Sequence, residues 1–97
     1  MSLAVANTIA KQIGPMALRM IGAKNLVGND NSLCFGVGRN AQSVTHLRIT
    51  LMPSDTYRVE ALRIRATKVS IVGTSDDVYV DSLHTVIETL TGMYTSL

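Results

Sequence analysis

Side chains able to act as nucleophiles, general bases or metal ligands are few in this sequence, and they are scattered. Cys34 is the single cysteine, and the only histidines are His46 and His84. A structural or catalytic metal site needs several His, Cys or carboxylate ligands at short spacings, and none of these three has a ligand-spaced neighbour. A Cys–His pair built on Cys34 is disfavoured as well. A reactive thiolate needs an electropositive, partly exposed setting, whereas Leu33 and Phe35 on either side imply a buried strand and a buried free thiol. Serine and threonine are plentiful, yet no nucleophile elbow surrounds any of them. Gly36 and Gly38 in GFGVGRN open no helix and match no dinucleotide or phosphate-loop fingerprint. The paired carboxylates Asp76-Asp77 follow Ser75 and suit the first turn of a helix, where the backbone dipole favours anions. The expectation is a protein that is not an enzyme and binds no metal or cofactor.

What remains is cationic. Arg48, Arg58, Arg63 and Arg65 fall on neighbouring strand-like segments, and Lys68 follows them. If Leu47, Ile49 and Leu51 face a helical layer, Arg48 points to the open side. Arg58 opposes Tyr57 and Val59 and points the same way, while Arg63 and Arg65 share a face opposite Leu62 and Ile64. A helix-free sheet face bearing these arginines would suit an acidic protein surface or phosphate. The competing reading is a solvated face on which Asp55 and Glu60 serve as counter-charges. Readers of single-stranded nucleic acid also need stacking aromatics. Only Tyr57 is near, and it is a candidate for the core.

The elements that must position these groups can be read from periodicity. Residues 3–13 place Leu3, Ala6, Ala10 and Ile13, with Val5 and Ile9 beside them, on one helical stripe. Gly14-Pro15 stops that helix, and Pro15 can open a second short one carrying Met16, Leu18, Met20 and Ile21. GAKNLVGNDNS reads as a loop with a short extended piece at Leu26-Val27. From Leu33 the period changes to two. Residues 33–37, 47–51, 57–66 and 68–72 are expected strands, the third with a bulge near Glu60-Ala61 to reconcile its parity. A last helix capped by Ser75 would bury Tyr79, Leu83, Val86, Ile87, Leu90 and Tyr94, with Gly92 as its breaker. The expected fold is α+β: two N-terminal helices, a three- to four-stranded antiparallel meander, and a C-terminal helix on one sheet face.

Composition sets the bounds. The 97 residues fit one domain, spanning 1–97, and 46% hydrophobic against 16% charged residues is a globular balance. Nine basic and seven acidic residues give a net charge of +2, too little to demand a polyanionic partner. Neither a signal peptide nor an apolar run of roughly 20 residues stands out, so a cytoplasmic location is expected.

The stretches GAKNLV, NSLCFGVGRNA, ITLMPSDTYRVE and DDVYVDSLHTVIETLTGMYTSL together resemble a group of small proteins encoded by bacteriophages and related mobile elements. The similarity runs over residues 22–97, and its most specific pieces are ITL-x-P-x-DTY-x-VE and the TG-x-x-T-x-L ending. Residues 18–21 depart from the group, which more often carries an aromatic-containing stretch there. The group has no established activity, so the resemblance implies context: a phage or prophage accessory protein in the cytoplasm of a bacterial host. The leading expectation is therefore a non-catalytic module that binds a host or phage protein, such as an inhibitor of a host defence system of the CRISPR type. Arg48, Arg58, Arg63, Arg65 and Lys68 are its candidate anchors. The alternative is nucleic-acid binding through the same face. A monomer or small homo-oligomer is expected, with no membrane partner.

Overall fold

The computed structural model describes residues 3–93 and residue 95. Helix α1 (Ala4–Ile13) buries Ala6, Ile9 and Ile13 along one stripe. Pro15 stands at the first position of α2 (Pro15–Met20), where its missing N–H has no intrahelical partner to lose. Five strands follow: β1 (Lys24–Gly28), β2 (Ser32–Gly36), β3 (His46–Leu51), β4 (Tyr57–Arg65) and β5 (Lys68–Val78). They form one antiparallel sheet in which spatial order equals chain order. A 3-10 turn (Val80–Ser82) leads into α3 (Leu83–Thr91), which ends at Gly92 in left-handed backbone.

Register explains how the core is assembled. Leu33, Ile49 and Val59 lie side by side across three strands, as do Phe35, Leu47 and Ala61. All six are buried, together with Ile9 and Ile13 of α1 and Leu83 and Ile87 of α3. Leu51, Val86 and Leu90 pack against this cluster from its margin. Both long helices therefore cover the same side of the sheet and leave the other side open. The Nε2 of His84 in α3 donates to the Ile13 carbonyl at 2.6 Å, tying the two helices together. Gly28 is required where α1 crosses β1, because a Cβ there would stand 2.7 Å from the Cβ of Ala6.

The α+β architecture and the C-terminal helix packed on the sheet match the sequence-based expectation, but four details differ. The segment after α2, expected as a loop with a short extended piece at Leu26-Val27, forms the longer strand β1, in which Lys24, Asn25, Leu26 and Val27 are all exposed and so show no alternation. Strand β4 runs without the bulge expected at Glu60-Ala61. The irregularities are in its partner: Ala61 and Leu62 face Gly73 and Ile71, leaving Val72 as the extra residue, and Asp76 and Asp77 together oppose the single Arg58 between Ser75 and Val78. Those bulges carry β5 through Ser75-Asp76-Asp77, which do not cap the last helix; Asp77 adopts φ 55 to allow it. Consequently α3 begins at Leu83, and Tyr79 is 64% exposed rather than part of the core. Tyr94, expected on the same helix face, lies outside the described residues.

Candidate functional site

On the open face, Arg48 of β3 stands across from Glu60 of β4. Its Nε and Nη2 donate to the two carboxylate oxygens of Glu60, each at 2.9 Å, a bidentate pair. The Glu60 side chain is only 12% exposed and that of Arg48 42%. Hydrogen bonding to Glu60 raises the guanidinium above its usual range, with burial acting against it. One register step away, Arg58 donates through Nε to Asp76 Oδ1 at 2.6 Å, which raises its guanidinium too. Here the strand bulge has a purpose, since it brings Asp76 within reach of Arg58.

The remaining candidate anchors are placed differently. Alternation along β4 gives Arg63 the parity of Ala61, the helix side, where its Nε and Nη2 donate to the carbonyls of Ser43 and Gln42 at 3.2 and 3.3 Å. Arg65 follows the same parity. It is the register partner of Lys68 at the β4–β5 turn, and neither has an ion-pair partner among the described residues. Arg48 and Arg58 thus share the open face, Arg63 braces the β2–β3 loop, and Arg65 and Lys68 mark the hairpin tip. Beside that tip, Val69 faces Ile64 and Ile71 faces Leu62 on the open side. Val69 is 62% and Ile71 60% exposed, an apolar patch on the face opposite to the parity of Arg65 and Lys68.

Cys34 also belongs to the open face, because Leu33 and Phe35 on either side of it point at the helices. It is half-buried, not part of the core as its apolar neighbours suggested. Burial pushes the thiol up; Arg48 draws it down and Glu60 adds to the rise. The thiol form is therefore favoured, the wrong state for a nucleophile.

Two concavities flank the sheet. One, of about 740 Å³, lies between α1 and the 3-10 turn, where Tyr57 donates to Gln12 Oε1 at 2.5 Å and Asp55 and Asp81 stand at the rim. The other, of about 580 Å³, lies at the opposite end and brings together Lys24, Arg39, His46 and Arg65. Of these the sequence marks only Arg65 as a candidate binding anchor. The others start a strand, occupy a loop or start another strand, and only the register of the strand ends unites them. No group of three or more His, Cys, Asp or Glu able to hold a metal occurs among the described residues. Among them, likewise, no helix is long and apolar enough to cross a membrane.

No known protein family, curated protein or solved structure matches this chain. The functional reading is carried by the geometry of the open face and of the two sheet ends.

Proposed function

We propose that this protein is a non-catalytic accessory binding module of phage type that docks on a host protein, in the manner of an inhibitor of a host defence effector. The observation that carries the reading is the β4–β5 hairpin, where Val69 and Ile71 are exposed on the open side and Arg65 and Lys68, without an ion-pair partner among the described residues, stand at the tip with the opposite parity. An apolar patch with cations at the adjoining tip suits a protein interface. The partner surface it fits is acidic with an apolar middle. Arg48 and Arg58, already paired within the chain, contribute shape and hydrogen-bonding capacity to the adjoining face rather than net charge. The resemblance to phage-encoded proteins supplies the cellular setting.

Nucleic-acid binding is the second reading, favoured by Lys24, Arg39 and Arg65 at one sheet end, none with an ion-pair partner among the described residues. Against it, the cations along the middle of the open face are neutralised, and Tyr57 turns to the helix side, leaving no described aromatic there to stack on bases. Capture from host lysate with and without nuclease, by wild type and by a Val69→Lys/Ile71→Lys variant, separates the two. The protein-docking reading predicts a retained protein that survives nuclease and is lost with the variant. Retention that disappears with nuclease favours nucleic acid.

A further inference from the structure

We propose that the cleft at the loop end of the sheet binds a small, multiply charged phosphate ligand such as a polyphosphate or a phosphate ester. Three permanent cations, Lys24, Arg39 and Arg65, line it together with His46, and no carboxylate among the described residues does. Cations concentrated in a concave site focus positive potential, and their mutual repulsion is relieved when an anion enters. A volume of about 580 Å³ matches small-molecule sites and exceeds what one carboxylate or inorganic phosphate fills. Guanidinium groups pair with phosphate oxygens in bidentate fashion, and an ammonium adds a compact charge.

The cleft is also built to hold its shape. Asn40 fastens the β2–β3 loop with four hydrogen bonds. Its amide nitrogen donates to the carbonyls of Gly38 and Val44 at 2.9 and 2.8 Å, and its oxygen accepts from the N–H groups of Gln42 and Val44 at 3.1 and 3.0 Å. The Gly38 N–H donates to the Ile21 carbonyl at 2.8 Å, joining the loop to the end of α2. Arg39 is thus presented by a fixed backbone, which limits the ordering cost of binding. Gly36 leaves room for the Lys24 stem, since a Cβ there would meet Lys24 Cγ at 3.2 Å. His46 Nδ1 lies 2.9 Å from the Thr45 hydroxyl, which itself donates to the Leu62 carbonyl and accepts from the Ile64 N–H. The imidazole is oriented by this chain of bonds, and its Nε2 has no partner among the described residues.

The site shares Arg65 with the hairpin tip but not Val69 or Ile71, so it can be tested without touching either of those. The test is a titration of the ¹⁵N-labelled protein, at constant ionic strength, with pyrophosphate, a nucleoside triphosphate, citrate and a single-stranded oligonucleotide. Saturable shifts with the first two ligands, confined to Lys24, residues 37–46 and Arg65, are expected. The Lys24→Gln/Arg39→Gln variant should bind roughly tenfold or more weakly, because each substitution removes a charge-assisted contact. Both positions are exposed, and an unchanged melting temperature shows that the variant is folded. Non-saturating shifts, or equal binding by the variant, overturn the proposal. Citrate binding more tightly than pyrophosphate overturns the phosphate assignment. Shifts that spread to Arg48 and Arg58 with the oligonucleotide, at higher affinity than pyrophosphate, replace the small ligand with nucleic acid.

Discussion

Strand β3 places two kinds of surface back to back. Leu47 and Ile49 are fully buried under α1 and α3, while Arg48 between them faces outward and is answered by Glu60 one strand away. The covered side draws stability from packing, which tolerates no missing volume. The open side is held by cross-strand ion pairs in its middle, and the cations without an ion-pair partner among the described residues stand at the sheet ends. Lys24 and Arg39 stand at one end with Arg65, and Lys68 stands beside Arg65 at the hairpin tip. Cation number alone would have pointed to the middle of the face. Pairing moves attention to its ends.

The largest contrast between the two sides should appear in stability. Ile49→Ala or Leu83→Ala is expected to cost about 2–5 kcal/mol in denaturant melts, since each leaves a cavity in a fully buried cluster. A loss below about 0.5 kcal/mol, the scale of exposed substitutions, would mean the covered side is not the packed one. Glu60→Gln, on the open side, should cost less, about 1–2 kcal/mol. It removes a charge-assisted bidentate pair, but Arg48 is 42% exposed and water screens the loss. The same change should speed labelling of Cys34 by thiol reagents. It takes away the carboxylate that raises the thiol and leaves Arg48, which lowers it. Unchanged labelling would show that burial alone controls the thiol.

A smaller effect marks the end of α3. Glu88 accepts from the N–H and hydroxyl of Thr95, both at 2.9 Å, and these bonds hold its carboxyl below the usual 4.5. A carboxyl depressed in the folded state contributes stability above the unfolded value, and that contribution disappears as pH falls through the folded value. Acid melts of Glu88→Gln should therefore fall less steeply below pH 4.5 than those of wild type. Parallel curves would remove Glu88 from the account.

Alternation made the covered side legible in the sequence. Leu47, Ile49 and Leu51 repeat at two, and Leu83, Ile87 and Leu90 repeat at helical spacing, so the core residues of β3 and α3 could be named without coordinates. Features that depend on a partner strand could not. In strand β1 only Leu26-Val27 are legible as extended; its first four residues are exposed without alternation, and it becomes a full strand by pairing with β2. Ser75-Asp76-Asp77 has the composition of a helix start, yet two bulges and the Arg58–Asp76 pair keep it in β5. Cys34 looked buried because its chain neighbours are apolar, although neighbours in a strand face opposite ways. The basic cleft was the least visible of all. Residues 24, 39, 46 and 65 come from four separate places in the chain and meet only at the ends of paired strands.

The proposed docking of the hairpin on a protein through its apolar patch is tested by quantitative capture from nuclease-treated host lysate. Wild type and Val69→Lys/Ile71→Lys should melt alike, because both positions are exposed and such substitutions change stability by about 0.5 kcal/mol or less. One discrete protein should be retained by wild type and reduced roughly tenfold or more by the variant, as expected when two contacts at the centre of an interface are replaced by charge. Equal retention of that protein by both forms would contradict the proposed docking.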